Sequence, residues 1–460
     1  MHPEKQLQTS WSEMLKVALP VCLGVFVQFI VMIIDNYFVA QIDGNAMSAA
    51  SFVALIYLTL VMIGLGLSNA TQIIVARRKG ENRIDDAGSV VGNAFWMSIV
   101  VATIQFALLY FLLPVIIERS IESKQVSEYM NVFTQYRAFG FFFYTLTLVF
   151  NAFWAGVART RIMIYTTVLT AFVNIILDYG LVFGNLGMPE MGMAGAALAT
   201  TIAEACAFFF LLWFTFRYHD HKTLPNQIAS GNIASYKLRH WIITMPKRHS
   251  ITLIKLGGPI AMQMLGALGI WVIFYKFVES MGEQPLQSSF IVRNMYMLVY
   301  VSVAGFTTTI STYVSGLIAE KRQSELLPVI RKLILMNMCG VIILSHGLWL
   351  YPEWIVSLFS DDPIIMFETV RTMHIVLPAM LVFSVTSMLL GTVEGSGSTV
   401  AGFTIELATV IIYIVTAYVM VYVWKWPIHL VWTADYVYFL SLGVFSLFFL
   451  WNGKWKFKKI

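Results

Sequence analysis

Twelve long apolar runs dominate this chain, and short polar segments separate them. Each run can cross about 30 Å of hydrocarbon as a helix, which takes roughly 20 residues. The runs are continuously apolar, whereas the strands of a membrane β-barrel alternate apolar and polar positions. The pattern therefore predicts an all-α polytopic membrane protein. We expect spans at residues 12–39, 46–76, 87–117, 128–157, 160–184, 190–217, 250–278, 286–318, 326–350, 362–392, 397–423 and 432–452.

The longest polar connection, residues 218–250, divides the runs into two sets of six. It lacks the apolar pattern of a domain, so we predict a cytoplasmic linker. The fold class that follows is twelve transmembrane helices in two pseudo-symmetric six-helix bundles. We expect the N-terminal bundle over residues 1–217 and the C-terminal bundle over residues 251–460.

Short motifs recur at a nearly fixed spacing across this linker. Leu15–Pro20 matches Ile254–Pro259, and Gly156–Thr160 matches Gly395–Thr399, in both cases 239 positions later. Six helices per repeat give both copies the same orientation, as in transporters whose halves are related by an axis along the membrane normal. In such proteins a cleft between the bundles opens alternately to each side. A duplicated scaffold without transport is the alternative.

Composition and charge agree with a membrane protein. Hydrophobic residues make up 58% of the chain, charged residues 12%, and the mean hydropathy is +0.74. Most of the 30 Lys and Arg residues fall in alternate connections, which assigns both termini to the cytoplasm. This distribution explains the net charge of +5 without a nucleic-acid partner. The first run is too long for a signal peptide, so we expect it to remain as the first span.

Two acids lie at similar depth inside the apolar runs of the first half. Asp35 is in the first run, and Asp178 is in the fifth, four residues after Asn174 and on the same helix face. Two nearby carboxylates in low dielectric cannot both stay charged without a cation, so we expect a proton or a metal ion between them. The alternative is that Asp178 is structural and bonds Asn174 or a neighbouring helix. The equivalent positions of the second half are Phe274, Tyr413 and Ala417.

Other polar and helix-bending residues allow two interpretations each. Pro20 removes a backbone hydrogen bond from the first span, which gives either a static bend or a moving hinge. Glu204, in the sixth span, either faces the same cavity as the acids or bonds a neighbouring helix. Glu394 is expected to be a solvated charge at a helix end. His346 and His374 have no second ligand at metal spacing, so we expect bonded or exposed histidines.

Enzymatic signatures are missing from the sequence. It contains no catalytic elbow, phosphate-binding loop or Cys/His metal spacing, and its loops are too short for an enzyme domain. We therefore expect a protein without cofactor. Aromatic residues make up 15% of the chain, which also has 24 methionines. These side chains suit a cavity for varied, amphipathic organic compounds, including cations held by ring faces.

The segment from Asn174 to Thr200 closely resembles the helix five to six signature of multidrug and toxic compound extrusion (MATE) transporters. Asp35 with Pro20, Gly64 to Gly80, Asn151 to Arg161 and Gly391 to Gly397 also resemble motifs of that family. The resemblance implies twelve helices in two bundles. It further implies export of drugs or toxic organic compounds in exchange for Na⁺ or H⁺.

The same resemblance suggests the cation-binding residues. The family's N-terminal cation site corresponds to Asp35, Asn174 and Asp178, which could hold Na⁺ directly. Asn151 and a threonine of helix six are further members. That threonine is Thr200 or Thr201. The family's helix-one proline corresponds to Pro20.

One departure concerns the second half. Sodium-type bacterial members have acids in helices seven and ten, where this chain has Ala267-Leu268 and Phe383-Ser384. Glu394 stands where many members have arginine. We therefore expect the N-terminal site to couple transport.

The sequence thus predicts a cation-coupled antiporter of the bacterial inner membrane, acting as a monomer in contact with lipid. It does not separate Na⁺ from H⁺. A dedicated exporter of one natural product, toxin precursor or lipid-linked intermediate is the alternative on the same fold. A membrane-embedded enzyme with His346 or His374 as base, and a channel, are the alternatives from other classes.

Overall fold

Long helices form nearly all the regular structure of the described residues, which are 6–121, 123–217, 233–245 and 248–460 in the computed structural model. Eleven helices among them are long and apolar enough to cross a membrane, and a bent pair, α5 (Lys124–Arg137) and α6 (Gly140–Gly156), provides a twelfth span. The predicted all-α fold with twelve spans is therefore confirmed. Polar side chains cap several helices. For example, Asp43 accepts a hydrogen bond of 2.7 Å from the Ala46 N–H at the start of α2.

The first six spans agree with the predicted limits to within a few residues. The third contains a π-helical turn at Leu108–Leu112, and the fourth breaks between Arg137 and Gly140 with a bend of 48°. The helices of this half are α1 (Trp11–Ala40), α2 (Gly44–Gly80), α3 (Ile84–Ala107), α4 (Leu113–Ser120), α5 (Lys124–Arg137), α6 (Gly140–Gly156), α7 (Arg161–Phe183) and α8 (Gly192–Arg217).

Residues 218–232 of the predicted linker lie outside the described residues. After them, a 3-10 turn, Ile233–Tyr236, leads into the short helix α9 (Leu238–Thr244). This segment packs on α3, where the Trp96 Nε1–H donates to the Ile242 carbonyl at 2.7 Å. A Cβ on Gly88 would lie 1.7 Å from the Tyr236 carbonyl oxygen, so only glycine permits this approach. The later part of the linker is therefore an ordered element, which the polar pattern did not predict.

The last six spans also lie close to their predicted limits. α10 continues through Pro259 and α14 continues through Pro378. A π-helical turn, Val419–Val423, follows α15. The helices of this half are α10 (Ser250–Glu279), α11 (Glu283–Ala319), α12 (Gln323–Leu350), α13 (Pro352–Ser357), α14 (Pro363–Gly395), α15 (Thr399–Tyr418), α16 (Ile428–Val431) and α17 (Ala434–Trp451).

The chain divides into two compact units. Unit 1 contains Leu23–Ala261, and unit 2 contains Leu7–Cys22 together with Met262–Ile460. Helices α1 and α10 therefore each contribute to both units. The predicted bundle limits, 1–217 and 251–460, stay a prediction, and the compact units divide the chain at other positions.

Glycine permits a close helix crossing inside each unit. In unit 1, a Cβ on Gly66 of α2 would lie 2.6 Å from the Gly257 carbonyl oxygen and 2.6 Å from the Ala261 Cβ of α10. In unit 2, a Cβ on Gly305 of α11 would lie 2.2 Å from the Cys22 Sγ of α1. Gly66 and Gly305 are 239 positions apart, as are Cys22 and Ala261, so the two crossings are equivalent in the repeat.

Aromatic and aliphatic side chains fill the interior of each unit. In unit 1, Tyr57 stacks on Phe141 with ring centroids 4.2 Å apart. In unit 2, Phe274 meets Trp432 edge to face at 5.0 Å. Many outward apolar side chains are exposed, such as Phe172 on α7, as expected for surfaces that face lipid.

Candidate functional site

The carboxyl groups of Asp35 and Asp178 meet inside unit 1. Asp35 lies near the end of α1 and is half-buried, whereas Asp178 on α7 is 1% exposed. The two groups lie close enough to share a hydrogen bond. Residues that are 143 positions apart in sequence are thus in contact, as the similar depth of the two acids suggested.

Asn174 and Thr200 extend this contact to α8. The Asn174 Nδ2 amide donates to Asp178 Oδ2 at 3.1 Å and to Thr200 Oγ1 at 3.4 Å. Thr200 in turn donates to the Ala196 carbonyl one turn earlier, at 3.0 Å. The Asn174 bond is also what the structural alternative for Asp178 predicted. It occupies one carboxyl oxygen of Asp178 and leaves the other available.

Several oxygens of this cluster are buried without a donor. Asp35 Oδ1, Asn174 Oδ1 and Asp178 Oδ1 have no hydrogen-bond partner among the described residues. Buried acceptors without partners are costly, since nothing replaces their lost hydration. A proton shared by the carboxyl groups, or a small cation held by these oxygens, would remove that cost. Hard cations favour carboxylate and carbonyl oxygens of this kind.

The remaining predicted members make no hydrogen bond to the two acids among the described residues. Asn151 on α6 has a buried Oδ1, and its side chain makes no hydrogen bond to other described residues. Thr201 on α8 donates to the Tyr136 carbonyl of α5 at 3.1 Å. Pro20 is buried in α1, which continues through it as a helix. The structure thus joins Asp35, Asp178, Asn174 and Thr200 into one cluster.

Glu204 makes a buried ion pair with a residue that sequence reasoning missed. The Arg137 guanidinium at the end of α5 donates to both Glu204 oxygens at 2.7 Å. Of the two interpretations of Glu204, a bond to a neighbouring helix is therefore the one that the structure shows. Arg137 could have been found from the sequence, because a cation inside a predicted span needs an acidic partner.

Unit 2 contains buried acids that differ from the expectation for this half. Glu394 was predicted to be solvated, which is wrong: it is 8% exposed and accepts a bond of 2.8 Å from the Gln263 amide. Glu406 accepts a hydrogen bond from the Tyr438 hydroxyl, and Asp435 accepts one from Tyr413. Each acid therefore has its own neutral partner.

No group of three or more His, Cys, Asp or Glu side chains within the described ranges is arranged to hold a metal ion. His374 is exposed, and its Nδ1 lies 2.9 Å from the Val370 carbonyl of its own helix. His346 is also exposed and bonds the Ile343 carbonyl. Both histidines are thus exposed and bonded to their own helices, as predicted.

The family assignment rests on both halves of the chain. Residues 20–180 and residues 259–419 each match the MatE family model. The protein belongs to the MatE family. The two matches begin 239 positions apart and end 239 positions apart, which is the spacing of the sequence repeat. Membership confirms the predicted MATE resemblance, and this is a family of membrane transporters, so the protein is a transporter and not an enzyme.

Similar proteins extend over nearly the whole chain. The probable multidrug resistance protein NorM of Thermotoga maritima is 22% identical over 462 residues, which covers 99% of this chain and 95% of NorM. A multidrug resistance MATE family transporter of the MOP superfamily, solved in an outward-facing conformation, superposes with a TM-score of 0.85 at 16% identity. The superposition covers 99% of this chain and 100% of that transporter.

A second solved structure shares this fold. A MOP superfamily transporter from Pyrococcus furiosus superposes with a TM-score of 0.87 at 15% identity, covering 99% of this chain and 100% of that one. The reversed polarity of its binding pocket was taken to suggest a different function for that protein. At these identities the superpositions show the MatE fold alone.

Proposed function

We propose that this MatE protein is an antiporter that exports drugs or other organic compounds in exchange for Na⁺ or H⁺, by alternating access. The coupling ion is a transported substrate and binds between Asp35 and Asp178. The protein acts in the bacterial inner membrane with both termini in the cytoplasm, and it works as a monomer.

The observation that carries this proposal is the contact between the two carboxyl groups. Two carboxylates about 4 Å apart repel by about 4 kcal/mol at an effective dielectric of about 20. A single positive charge between them removes most of this repulsion. The unpartnered oxygens of Asp35, Asn174 and Asp178 provide acceptors for that charge. Entry of one Na⁺ or one H⁺ therefore has a large effect on the local energy.

This energy can drive a conformational change because Asp35 and Asp178 lie on different helices. With the cation present, the acids hold α1 against α7, where Gly24 approaches Thr167 and Phe38 meets Phe183 edge to face. Without the cation, repulsion favours a state in which Asp35 moves away. An organic substrate that prefers one of these states is coupled to the cation by linkage. Bending at Pro20 is part of this proposal.

The cargo is proposed from relatives and composition. The probable NorM of Thermotoga maritima is named for multidrug resistance. The aromatic and methionine content suits amphipathic compounds, with organic cations among them. Export of one dedicated natural product, toxin precursor or lipid-linked intermediate is the second candidate. For the P. furiosus transporter, which has the same fold, a reversed polarity of the binding pocket was taken to suggest a different function.

Efflux from proteoliposomes tests the proposal. Purified protein is reconstituted with a fluorescent organic cation, and an inward Na⁺ gradient or an inward H⁺ gradient is imposed. We expect one gradient to drive efflux and Asp35→Asn to abolish the response. Asp435→Asn is the matched control, since Asp435 is a buried carboxyl of unit 2 with its own partner, Tyr413.

The outcomes separate the candidates. Gradient-driven efflux that persists in Asp35→Asn refutes coupling at this site. Loss of efflux in both variants shows that the effect is not specific to the Asp35 cluster. Absence of dye movement with either gradient makes the dedicated exporter the leading candidate.

A further inference from the structure

Arg137 and Glu204 form a fully enclosed ion pair near the proposed cation site. Both residues are buried, at 9% and 8% exposure, and two hydrogen bonds of 2.7 Å join their side chains. The Arg137 guanidinium also stacks on Tyr57 of α2, with Cζ 3.8 Å from the ring centroid. The desolvation of a buried ion pair costs about as much free energy as the pairing returns, so stability alone does not explain this pair.

The break between α5 and α6 creates the space for this pair. Arg137 ends α5, and Gly140 begins α6. A Cβ on Gly140 would lie 2.2 Å from Arg137 Nη1 and 2.5 Å from Glu204 Oε2. The bend of 48° and the absence of a side chain at Gly140 thus let a charged group turn inward in the middle of the fourth span.

The pair is connected to the Asp35 cluster through α8. Glu204 lies one helical turn after Thr200, which accepts the Asn174 hydrogen bond. Thr201 donates to the carbonyl of Tyr136, the residue before Arg137. Asp35 also interacts electrostatically with both Arg137 and Glu204. Asp35 thus interacts with Asp178, Glu204 and Arg137, and the Tyr57 and Tyr144 hydroxyls interact with the Arg137–Glu204 pair.

We propose that the Arg137–Glu204 pair sets the affinity of the Asp35/Asp178 site for its coupling ion, with both residues acting as positioning residues. The inference rests on the proposed function, because it assumes a cation at Asp35 and Asp178. Glu204 neutralises Arg137, and without that neutralisation a fixed positive charge would repel the incoming cation. Arg137 cannot respond by losing its proton, since guanidinium stays protonated in proteins.

The sign of the effect follows from this charge balance. Glu204→Gln leaves Arg137 as an uncompensated positive charge, so the cation binds more weakly. A unit charge about 12 Å from a site, at an effective dielectric of about 20, changes a binding constant about tenfold. The double variant Arg137→Gln/Glu204→Gln removes both charges together and returns the net charge to that of the native pair. Its cation affinity should therefore return close to the native value.

The test measures dye efflux from proteoliposomes while the concentration of the driving ion outside the liposomes is varied. We expect the half-saturating concentration of that ion to rise about tenfold in Glu204→Gln and to return to within about threefold of native in the double variant. Glu394→Gln, which changes an equally buried glutamate of unit 2, should leave it unchanged. If Glu204→Gln cannot be purified, Arg137→Gln should lower the same value, because it leaves Glu204 as an uncompensated negative charge that attracts the cation.

A merely structural pair gives a different result. In one such result, the half-saturating concentration stays native in every variant that folds. In the other, the half-saturating concentration of the double variant is raised as far as that of Glu204→Gln. Either result overturns the inference. Asp35→Asn separates this failure from that of the proposed function: if Asp35→Asn abolishes the gradient response while Glu204→Gln leaves the half-saturating concentration native, the Arg137–Glu204 inference alone fails.

Discussion

Replacement of Gly66 by alanine probes the close crossing of α2 and α10. The added methyl would lie 2.6 Å from the Gly257 carbonyl oxygen and 2.6 Å from the Ala261 Cβ, and 2.8 Å from the Ala261 nitrogen. Two of these atoms belong to backbone, so no side chain can rotate away. Ordinary contacts need about 3.5 Å or more, and the helices would have to separate by about 1 Å. Overpacking of this kind costs about 1 to 3 kcal/mol.

The matched control is Gly266→Ala. Gly266 also lies in a membrane helix, α10, and a Cβ there would meet nothing within 4 Å. Both substitutions gain the same helix propensity, about 0.5 to 1 kcal/mol, so their difference isolates the packing cost. For a chain of 460 residues, thermal unfolding in detergent should place the melting temperature of Gly66→Ala roughly 1 to 3 °C below that of Gly266→Ala. Equal melting temperatures would refute the close contact of α2 with α10.

Three further predictions concern other parts of the chain. Gly140→Ala should displace Arg137 and Glu204 and lower stability by about 1 to 3 kcal/mol, read as a loss of melting temperature. Gly184 has φ of 71°, so Gly184→Ala should cost about 1 kcal/mol and Gly184→Asn less, as measured by thermal unfolding. Burial lowers the pKa of His249 below its ordinary value of 6.5, although the Asp86 carboxylate lies 3.0 Å away. Asp86 also forms ion pairs with Arg78, Arg83 and Arg248. The folded state therefore prefers neutral His249. The contribution of this neutral histidine to folding stability is fully present above pH 6.5 and is lost as the pH falls through the lowered pKa. His249→Gln should flatten the fall in melting temperature below about pH 6.5, and an unchanged pH profile would contradict this assignment.

The apolar pattern was sufficient to predict the spans, because each crossing requires a continuous run. It did not predict the π-helical turns at Leu108–Leu112 and Val419–Val423, nor the break after Arg137. These features depend on local backbone hydrogen bonding and on tertiary packing, which apolar residues satisfy with or without a turn of altered pitch. Hydropathy therefore locates a span without describing its shape.

Part of the candidate site could be predicted for a physical reason. Asn174 and Asp178 are four residues apart in one helix, so helical geometry alone places them together. The contact of Asp35 with Asp178 needed only similar depth in the membrane. The partner of Glu204 could not be predicted in the same way, because Arg137 lies in another span. The Arg137 side chain also reaches Glu204 only because Gly140 has no side chain.

The environment of Glu394 shows a second limit. Its position at the inner end of α14 suggested contact with water, but the Gln263 amide and the surrounding helices enclose it. Depth along a helix does not determine which face of that helix is covered. The same reasoning applies to Asp435, a buried acid in α17 whose partner Tyr413 comes from α15.

The membership of Leu7–Cys22 in unit 2 has a consequence for synthesis of the protein. The Cys22 thiol donates to the Ser302 carbonyl at 3.8 Å, and the Leu7 N–H donates to Glu320 at 2.9 Å. A ribosome that adds about 5 to 20 residues per second needs roughly 15 to 60 s to make the intervening chain. The part of α1 up to Cys22 therefore waits in the membrane without its permanent neighbours until α11 has been inserted. A nascent chain that stalls before α11 would leave this buried face open to lipid or to membrane chaperones.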